Sequence, residues 1–182
     1  MASELFVDKL YPGPNSTSIE LSATSSISFK TNGSTQLTID SSGRLLTPNR
    51  PYFYVRRGGS QADGQSAGTI TWNTVLVNDG GHFVTSGTGA YERFVAPVNG
   101  IYVFHCMPGY KQTSVDWNMY WYLNGSPYQE AGRLIGTPPN SHSTSSSSIA
   151  LKLNTNDYVH VNIGYTHHRN ASTEYFTGYL LG

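Results

Sequence analysis

Ile101-Tyr102-Val103-Phe104-His105-Cys106 and, further on, Val159-His160-Val161-Asn162-Ile163-Gly164-Tyr165 are the two stretches that decide the fold. In the first, Tyr102, Phe104 and Cys106 alternate with Val103 and His105; in the second, Val159, Val161, Ile163 and Tyr165 alternate with His160, Asn162 and Gly164. Successive side chains of an extended chain point to opposite sides, so this period of two gives each stretch one core-facing side. Similar runs lie at Tyr52–Arg57, Thr69–Leu76, Phe94, Trp117–Leu123, Ser147–Leu153 and Tyr175–Leu181, separated by Gly, Pro and Asn turn signals. Apolar spacing of three and four is not sustained anywhere, so no helix of any length is expected. About eight antiparallel strands joined by loops imply an all-β sandwich. Trp117-Asn118-Met119-Tyr120-Trp121-Tyr122 is aromatic on both sides, so something should cover part of the second face. Oligomerisation with closed cyclic symmetry is the expected means.

A chain of 182 residues fits one domain of ordinary size plus an appendage. Only 12% of residues are charged, so polarity rests on Ser, Thr, Asn and Gly, as in β-rich chains. Eleven basic and eleven acidic residues cancel, and no Lys/Arg cluster exceeds Arg56-Arg57, so nucleic acid is not an expected partner. The absence of net charge fits life inside a larger assembly. Cys106 is the sole cysteine, which rules out an intrachain disulfide. Met1 to Lys9 lacks a basic start followed by an apolar run, and no stretch approaches the roughly 18 apolar residues of a membrane span. Synthesis in a cytoplasm without membrane insertion is therefore expected. Asn15, Asn32, Asn124 and Asn170 sit in Asn-x-Ser/Thr sequons and read as turn residues.

Residues 1–49 read differently. Ile19-Glu20-Leu21, Ile27-Ser28-Phe29 and Leu37-Thr38-Ile39 alternate, with Asn32-Gly33 and Ser42-Gly43 as turns between short strands. Strands this short cannot bury enough surface alone, so they are expected to pair with other copies of the chain or with a neighbouring protein. Phe6, Val7, Leu10, Ile19, Leu21, Ile27 and Phe29 are the candidate attachment residues of this arm. Prolines at 48 and 51 remove ladder donors and place the boundary, leaving residues 51–182 as the head.

Ile70-Thr71-Trp72-Asn73-Thr74-Val75, Asn78-Asp79-Gly80-Gly81-His82-Phe83 and above all Phe94-Val95-Ala96-Pro97-Val98-Asn99-Gly100-Ile101-Tyr102-Val103-Phe104 resemble the complement C1q globular-head and tumour necrosis factor superfamily. Tyr122-Leu123-Asn124-Gly125, Ser147–Leu153, Asp157-Tyr158-Val159-His160-Val161 and Phe176–Leu181 are similar to its later strands, in the same order. Asn156 stands where the family usually has Gly, a small departure because Asn tolerates a left-handed backbone. The resemblance implies a ten-stranded jelly roll, packed as a homotrimer. It implies a core of Phe94, Tyr102, Phe104, Val159, Val161, Phe176 and Leu180, and places Val103, His105, His160, Asn162, Gly164, Thr177 and Tyr179 at the trimer interface. The arm resembles something else. Thr35-Gln36-Leu37-Thr38-Ile39-Asp40-Ser41-Ser42-Gly43-Arg44-Leu45 looks like a short repeat of bacteriophage fibre and appendage proteins, and Glu4–Leu10 like the start of small structural proteins of cyanophages.

Catalytic signatures are missing: there is no Gly-x-Ser-x-Gly elbow and no His/Glu metal motif. Ser86-Gly87-Thr88-Gly89-Ala90-Tyr91 lacks the Lys and the helix of a phosphate loop. His167 and His168 are adjacent, and on a strand would point apart, which disfavours a shared metal. Cys106 reads as a small core residue, and His105 and His160 as hydrogen-bonded packing residues, with a protonation-sensitive role at the axis as the alternative. No enzyme, cofactor or metal is therefore expected. Tyr110, Trp117, Tyr128 and His142 are candidate receptor contacts able to stack on sugar rings, the competing reading being that the aromatics fill core or seam. The resulting expectation is a non-enzymatic phage structural protein on the virion surface, made in the host bacterial cytoplasm. Its trimeric fibre or knob head would bind host-surface glycan, and residues 1–49 would bind other capsid or tail proteins. The alternatives are a capsid decoration protein and, more remotely, a soluble cytokine- or lectin-like ligand.

Overall fold

The structure, a computed structural model, describes residues 26–57, 67–84, 92–108, 117–128, 133–136, 146–164 and 174–182, with backbone only at Trp117 and residues 133–136. The chain divides into two units, Met1–Pro48 and Asn49–Gly182. In the first, β1 (Ile27–Thr31), β2 (Ser34–Ile39) and β3 (Leu45–Leu46) form one antiparallel sheet in that order. Asn32 and Gly33 both take positive φ, 48° and 76°, the primed turn whose twist suits a two-residue hairpin. The Asp40 carboxylate closes the next turn, accepting from the Ser42 and Arg44 amides at 2.9 Å each and from Arg44 Nε at 2.6 Å. Register pairs Ile27 with Ile39, Phe29 with Leu37 and Ile39 with Leu45, which gathers the apolar side chains on one face. Nothing within the described part of the unit covers that face: Phe29 is 49% exposed and Leu45 66%.

In the second unit the described strands are β4 (Tyr52–Arg56), β5 (Gly68–Thr69), β6 (Thr74–Asp79), β7 (Phe83–Val84), β8 (Arg93–Val95), β9 (Gly100–Met107), β10 (Trp117–Leu123), β11 (Ser126–Pro127), β12 (Arg133–Gly136), β13 (Ser147–Leu153), β14 (Tyr158–Ile163) and β15 (Tyr175–Leu180). They form two antiparallel sheets of a jelly roll. One, the β9 sheet, has the order β13-β9-β15-β4-β6. The other, the β14 sheet, runs β11-β10-β14-β8-β7, with β12 paired to β10 and β5 to β14. Sequence-adjacent strands often lie in different sheets, as β13 and β14 do, so the chain crosses repeatedly between layers. The expected strand at Thr69–Leu76 is divided between β5 and β6; between them Ile70, whose amide donates to the Val161 carbonyl at 3.1 Å, and Trp72 are buried in the core. The short β7, β11 and β12 carry too little alternation to be read from sequence.

The core between the sheets is aromatic. Phe53 lies 4.9 Å from Phe83, 5.2 Å from Phe94 and 4.8 Å from Phe176 between ring centroids, the last edge to face. Phe104 and Trp121 extend the cluster, and Cys106 lies wholly inside it. Of the predicted core, Phe94, Tyr102, Phe104, Val159, Val161 and Phe176 are fully buried. Leu180 is only half-buried, because β15 ends there and its side chain packs on the rim. Gly178 is where the core comes closest to the backbone, since a Cβ there would collide with the Phe104 and Phe53 rings.

One end of the sandwich is tied by side chains. Asn124 Nδ2 donates to Asp157 Oδ1 (2.8 Å), the Tyr158 amide donates to Asn124 Oδ1 (2.9 Å), and the Asn154 amide donates to Asp157 Oδ2 (2.7 Å). The bond from Asn124 is the largest cause that lowers the Asp157 carboxyl below its ordinary range. Asn124 and Asn156 take φ of 51° and 72°, so Asn156 does hold the left-handed position that glycine usually fills.

Candidate functional site

Alternation gives each sheet an outward face, and the two faces differ. On the β9 sheet the outward residues are Ile101, Val103, His105 and Met107 of β9, Tyr175, Thr177 and Tyr179 of β15, Tyr52, Tyr54 and Arg56 of β4, and Ser148, Ala150 and Lys152 of β13. Register sets Ala150, Val103, Tyr179 and Tyr52 in one row and Ser148, His105, Thr177 and Tyr54 in the next. His105 Nδ1 and Ser148 Oγ are hydrogen-bonded at 2.5 Å, and Thr177 Oγ1 donates to the Phe53 carbonyl at 2.7 Å. Ser148, His105 and Thr177 of the second row are thus bonded within the sheet, and the first row is apolar and aromatic. Ile101 at its margin is 45% exposed.

The outward residues of the β14 sheet are Arg93 and Val95 of β8, Tyr158, His160 and Asn162 of β14, and Asn118, Tyr120 and Tyr122 of β10. Here Arg93, His160 and Tyr122 form one cross-strand row, and Asn162 faces Tyr120 in the next. The His160 ring lies 4.9 Å from Tyr122 and 6.1 Å from Tyr158, nearly parallel to the latter. The Arg93 guanidinium sits 4.2 Å over the Tyr158 ring. Burial, and after it the charge of Arg93, holds His160 down at about 4, so the imidazole is neutral at physiological pH.

This geometry divides the residues expected at the trimer interface between two sheets. Val103 pairs with Tyr179 and His105 with Thr177, so these four are neighbours on the β9 sheet. His160, Asn162 and Gly164 belong to the β14 sheet, on the opposite side of the sandwich, and do not join them. Identical alternation in β9 and β14 cannot reveal that the two strands lie in different layers. Of the candidate receptor contacts, Tyr110 and His142 lie outside the described residues, and Trp117 opens β10. Tyr128 is half-buried against the core, with its amide donating to the Trp121 carbonyl. Of the attachment residues, Ile27 and Phe29 stand side by side on β1; Phe6, Val7, Leu10, Ile19 and Leu21 lie outside the described residues, as do His167 and His168. Sequence reasoning missed Arg93, Tyr120, Tyr122 and Tyr158. The signal was present in Trp117–Leu123, where alternation sets Asn118, Tyr120 and Tyr122 opposite the buried Met119 and Trp121.

Ionisable groups inside the sandwich serve structure. Arg57 and Glu174 are both buried, and each has a partner. Burial pushes the Glu92 carboxyl up to about 7, against the opposing pull of a Thr71 hydrogen bond and the Arg57 charge. Burial, reinforced by Glu174, pushes the Cys106 thiol well up, which keeps it protonated and unsuited to nucleophilic chemistry. The outward faces offer surfaces for binding.

The sequence profile of the C1q domain matches residues 52–181. The chain belongs to the C1q domain family. Comparison with curated protein sequences finds none that matches. Among solved structures, this C1q head is similar to the globular domain of zebrafish complement 1qA protein, with a TM-score of 0.53 and 18% identity over 73% of this chain and 98% of that one. It is also similar to murine APRIL crystallised at pH 8.5 (TM-score 0.54, 11% identity, 72% of this chain and 99% of that one) and at pH 5.0 (0.55, 13%, with the same coverage). At such identities the likeness is one of fold. C1q and tumour-necrosis-factor-like domains are typically binding domains rather than enzymes, and often trimeric.

Proposed function

We propose that this C1q head is the trimeric, non-enzymatic binding module of a phage virion protein. Its N-terminal unit would anchor it to other virion proteins, and the head would meet glycans on the host surface. The observation that carries the trimer is the apolar and aromatic row of Ala150, Val103, Tyr179 and Tyr52 on the β9 sheet, flanked by exposed Ile101. Such a face is stabilised when a second copy removes it from water. The virion setting rests on the fibre-like repeat at residues 35–45. Three identical heads on one axis would turn weak glycan contacts into avid attachment.

A capsid-decoration role is the second reading. It is favoured by the uncovered apolar face of the N-terminal unit, where Phe29 and Leu45 would be buried by contact with a shell protein. Crosslinking within particles separates the two: contacts of residues 26–46 with the major capsid protein support decoration, and contacts with tail or fibre proteins support the appendage.

The trimer is tested by light scattering on the full chain and on a chain beginning at Pro51, both expected at about three times the chain mass. Val103→Glu, which sets a carboxylate in the middle of the apolar row, is expected to yield monomers. A shortened chain that is monomeric, or a Val103→Glu variant with unchanged mass, would overturn this use of the β9 sheet.

A further inference from the structure

The outward face of the β14 sheet is left open if subunits meet through the β9 sheet, and its chemistry differs from that of a subunit contact. Val95 is the one aliphatic residue among the outward side chains of β8, β14 and β10, and no acidic residue occurs in the three strands. Arg93 is the only cation among those outward residues. Its Nε is buried without a hydrogen-bond partner, and its guanidinium lies over the Tyr158 ring. Of the guanidinium nitrogens only Nε is both buried and unpaired; the two Nη groups remain for an incoming acceptor, and a carboxylate, with two oxygens matching their fork, is the best acceptor for them. Among the described residues, the two acids that adjoin these strands in sequence do not fill that role. Glu92 is engaged with Thr71 and Arg57, and Asp157 with Asn124 and Asn154.

Beside Arg93 the surface is a run of flat rings: Tyr158, then His160, then Tyr122. The neutral imidazole continues the tyrosine surfaces without adding charge. Along the next row, the Asn162 amide and Tyr120 hydroxyl supply donors and acceptors, and Asn118 lies beyond them on the same strand as Tyr120. Flat amphipathic rings edged with amides and hydroxyls suit a sugar, which presents C–H groups on its ring face and hydroxyls around its edge. A protein partner would look for a cluster of aliphatic anchors, and a nucleic acid for several cations along its backbone; the outward residues of β8, β14 and β10 supply one of each, Val95 and Arg93.

From this juxtaposition we infer that the outward face of β8, β14 and β10 is a binding platform for an acidic saccharide, whose rings lie on Tyr122, His160 and Tyr158 and whose uronate carboxylate is held by Arg93. The inference rests on the trimeric-head reading and deepens it by naming the ligand class and the face that takes it.

The test is a titration of the full-length protein with hexagalacturonate, followed by chemical shift or calorimetry, with its fully methyl-esterified form as the neutral counterpart. Wild type binds hexagalacturonate saturably and the ester more weakly. Arg93→Gln weakens hexagalacturonate binding about tenfold and leaves the ester nearly unaffected. Arg93→Lys keeps the charge but loses the planar fork, and falls between the two. Tyr122→Ala weakens both ligands. Light scattering and a thermal melt on each variant show that the fold and the subunit mass are retained. No saturable binding by a trimeric wild type overturns the inference and spares the trimer; Arg93-dependent binding by a protein that proves monomeric does the reverse. If polyglutamate binds as well, with the same dependence on Arg93, the face reads carboxylates alone and the saccharide assignment falls.

Discussion

The β9 and β14 sheets are built from strands with the same period-two pattern, pack on the same aromatic core, and turn outward faces of opposite character. On the β9 sheet the outward row is Ala150, Val103, Tyr179 and Tyr52, and the adjacent polar groups are tied up by His105–Ser148 and Thr177–Phe53 hydrogen bonds. On the β14 sheet the rings of Tyr122, His160 and Tyr158 lie beside an Arg93 whose Nε has no hydrogen-bond partner. A face whose middle row is apolar and aromatic gains by being covered for good. One whose middle row sets a cation beside flat rings gains by exchanging water for a polar ligand. A sandwich can therefore commit one face to assembly and keep the other for recognition, although nothing in the strand pattern distinguishes them.

Two glycines test this contrast with the largest effect. Gly178 in the β9 sheet backs onto the Phe104 and Phe53 rings, so Gly178→Ala must displace packed core and is expected to cost about 3 kcal/mol in urea unfolding. Gly164, at the end of β14, would set its new methyl against the Asn118 side chain, which can swing outward. Gly164→Ala is therefore expected to cost less than about 1 kcal/mol. Equal costs would mean that the β14 face is packed as tightly as the core and is a poor candidate for exchange with ligand.

Protonation gives a smaller effect, with opposite signs at two sites. The folded His160 is held at about 4 against an ordinary 6.5, so the unfolded chain takes up the proton first. Its contribution is complete above about pH 6.5 and is lost as pH falls toward 4. Glu92 is raised from 4.5 to about 7, so its contribution is complete below pH 4.5 and is lost as pH rises through 7. Both groups are partly open to solvent, which limits each effect to about 1 kcal/mol. His160→Gln should flatten the acid side of the stability profile and Glu92→Gln the neutral side, as read by melts from pH 4 to 8. If His160→Gln leaves the acid limb unchanged, the imidazole is solvated and the ring platform is looser than the structure shows.

The smallest expected effect lies where the chain passes from one sheet to the other. Asn156, between β13 and β14, holds φ of 72°. Asn156→Gly should shift stability by no more than about 0.5 kcal/mol, because both residues accept this conformation, whereas Asn156→Ala should cost about 1 kcal/mol. An alanine variant as stable as wild type would mean that the turn relaxes, and that the β9 and β14 sheets are less firmly connected than the Asn124–Asp157 bonds imply.

Much of the head was legible in its residues. Tyr102, Phe104, Val159 and Val161 lie on the core-facing side that alternation picks out, a property of neighbours in sequence, and the family resemblance adds Phe94 and Phe176. Ile70 and Trp72 keep the same alternation, buried where Thr71 and Asn73 are exposed, although their segment lies between two strands. The candidate sites were less legible. His160, Asn162 and Gly164 look like Val103 and His105 in sequence, yet register sets them beside Tyr120, Tyr122 and Arg93 on the other sheet. The half-buried ring platform and the arginine beside it were missed because Arg93, Tyr122, Tyr158 and His160 come from three strands widely separated in the chain.

By itself, then, the sequence determined that the head is an all-β sandwich of the C1q kind, which side chains it buries, and where Asn32-Gly33 and Asn124-Gly125 turn the chain. Those features depend on contacts a few residues apart, on rotational preferences and on the two-residue repeat of a strand. Only the tertiary structure decided which outward residues share a face, because sheet membership is set by pairings between strands distant in sequence, each chosen by the packing of the whole core.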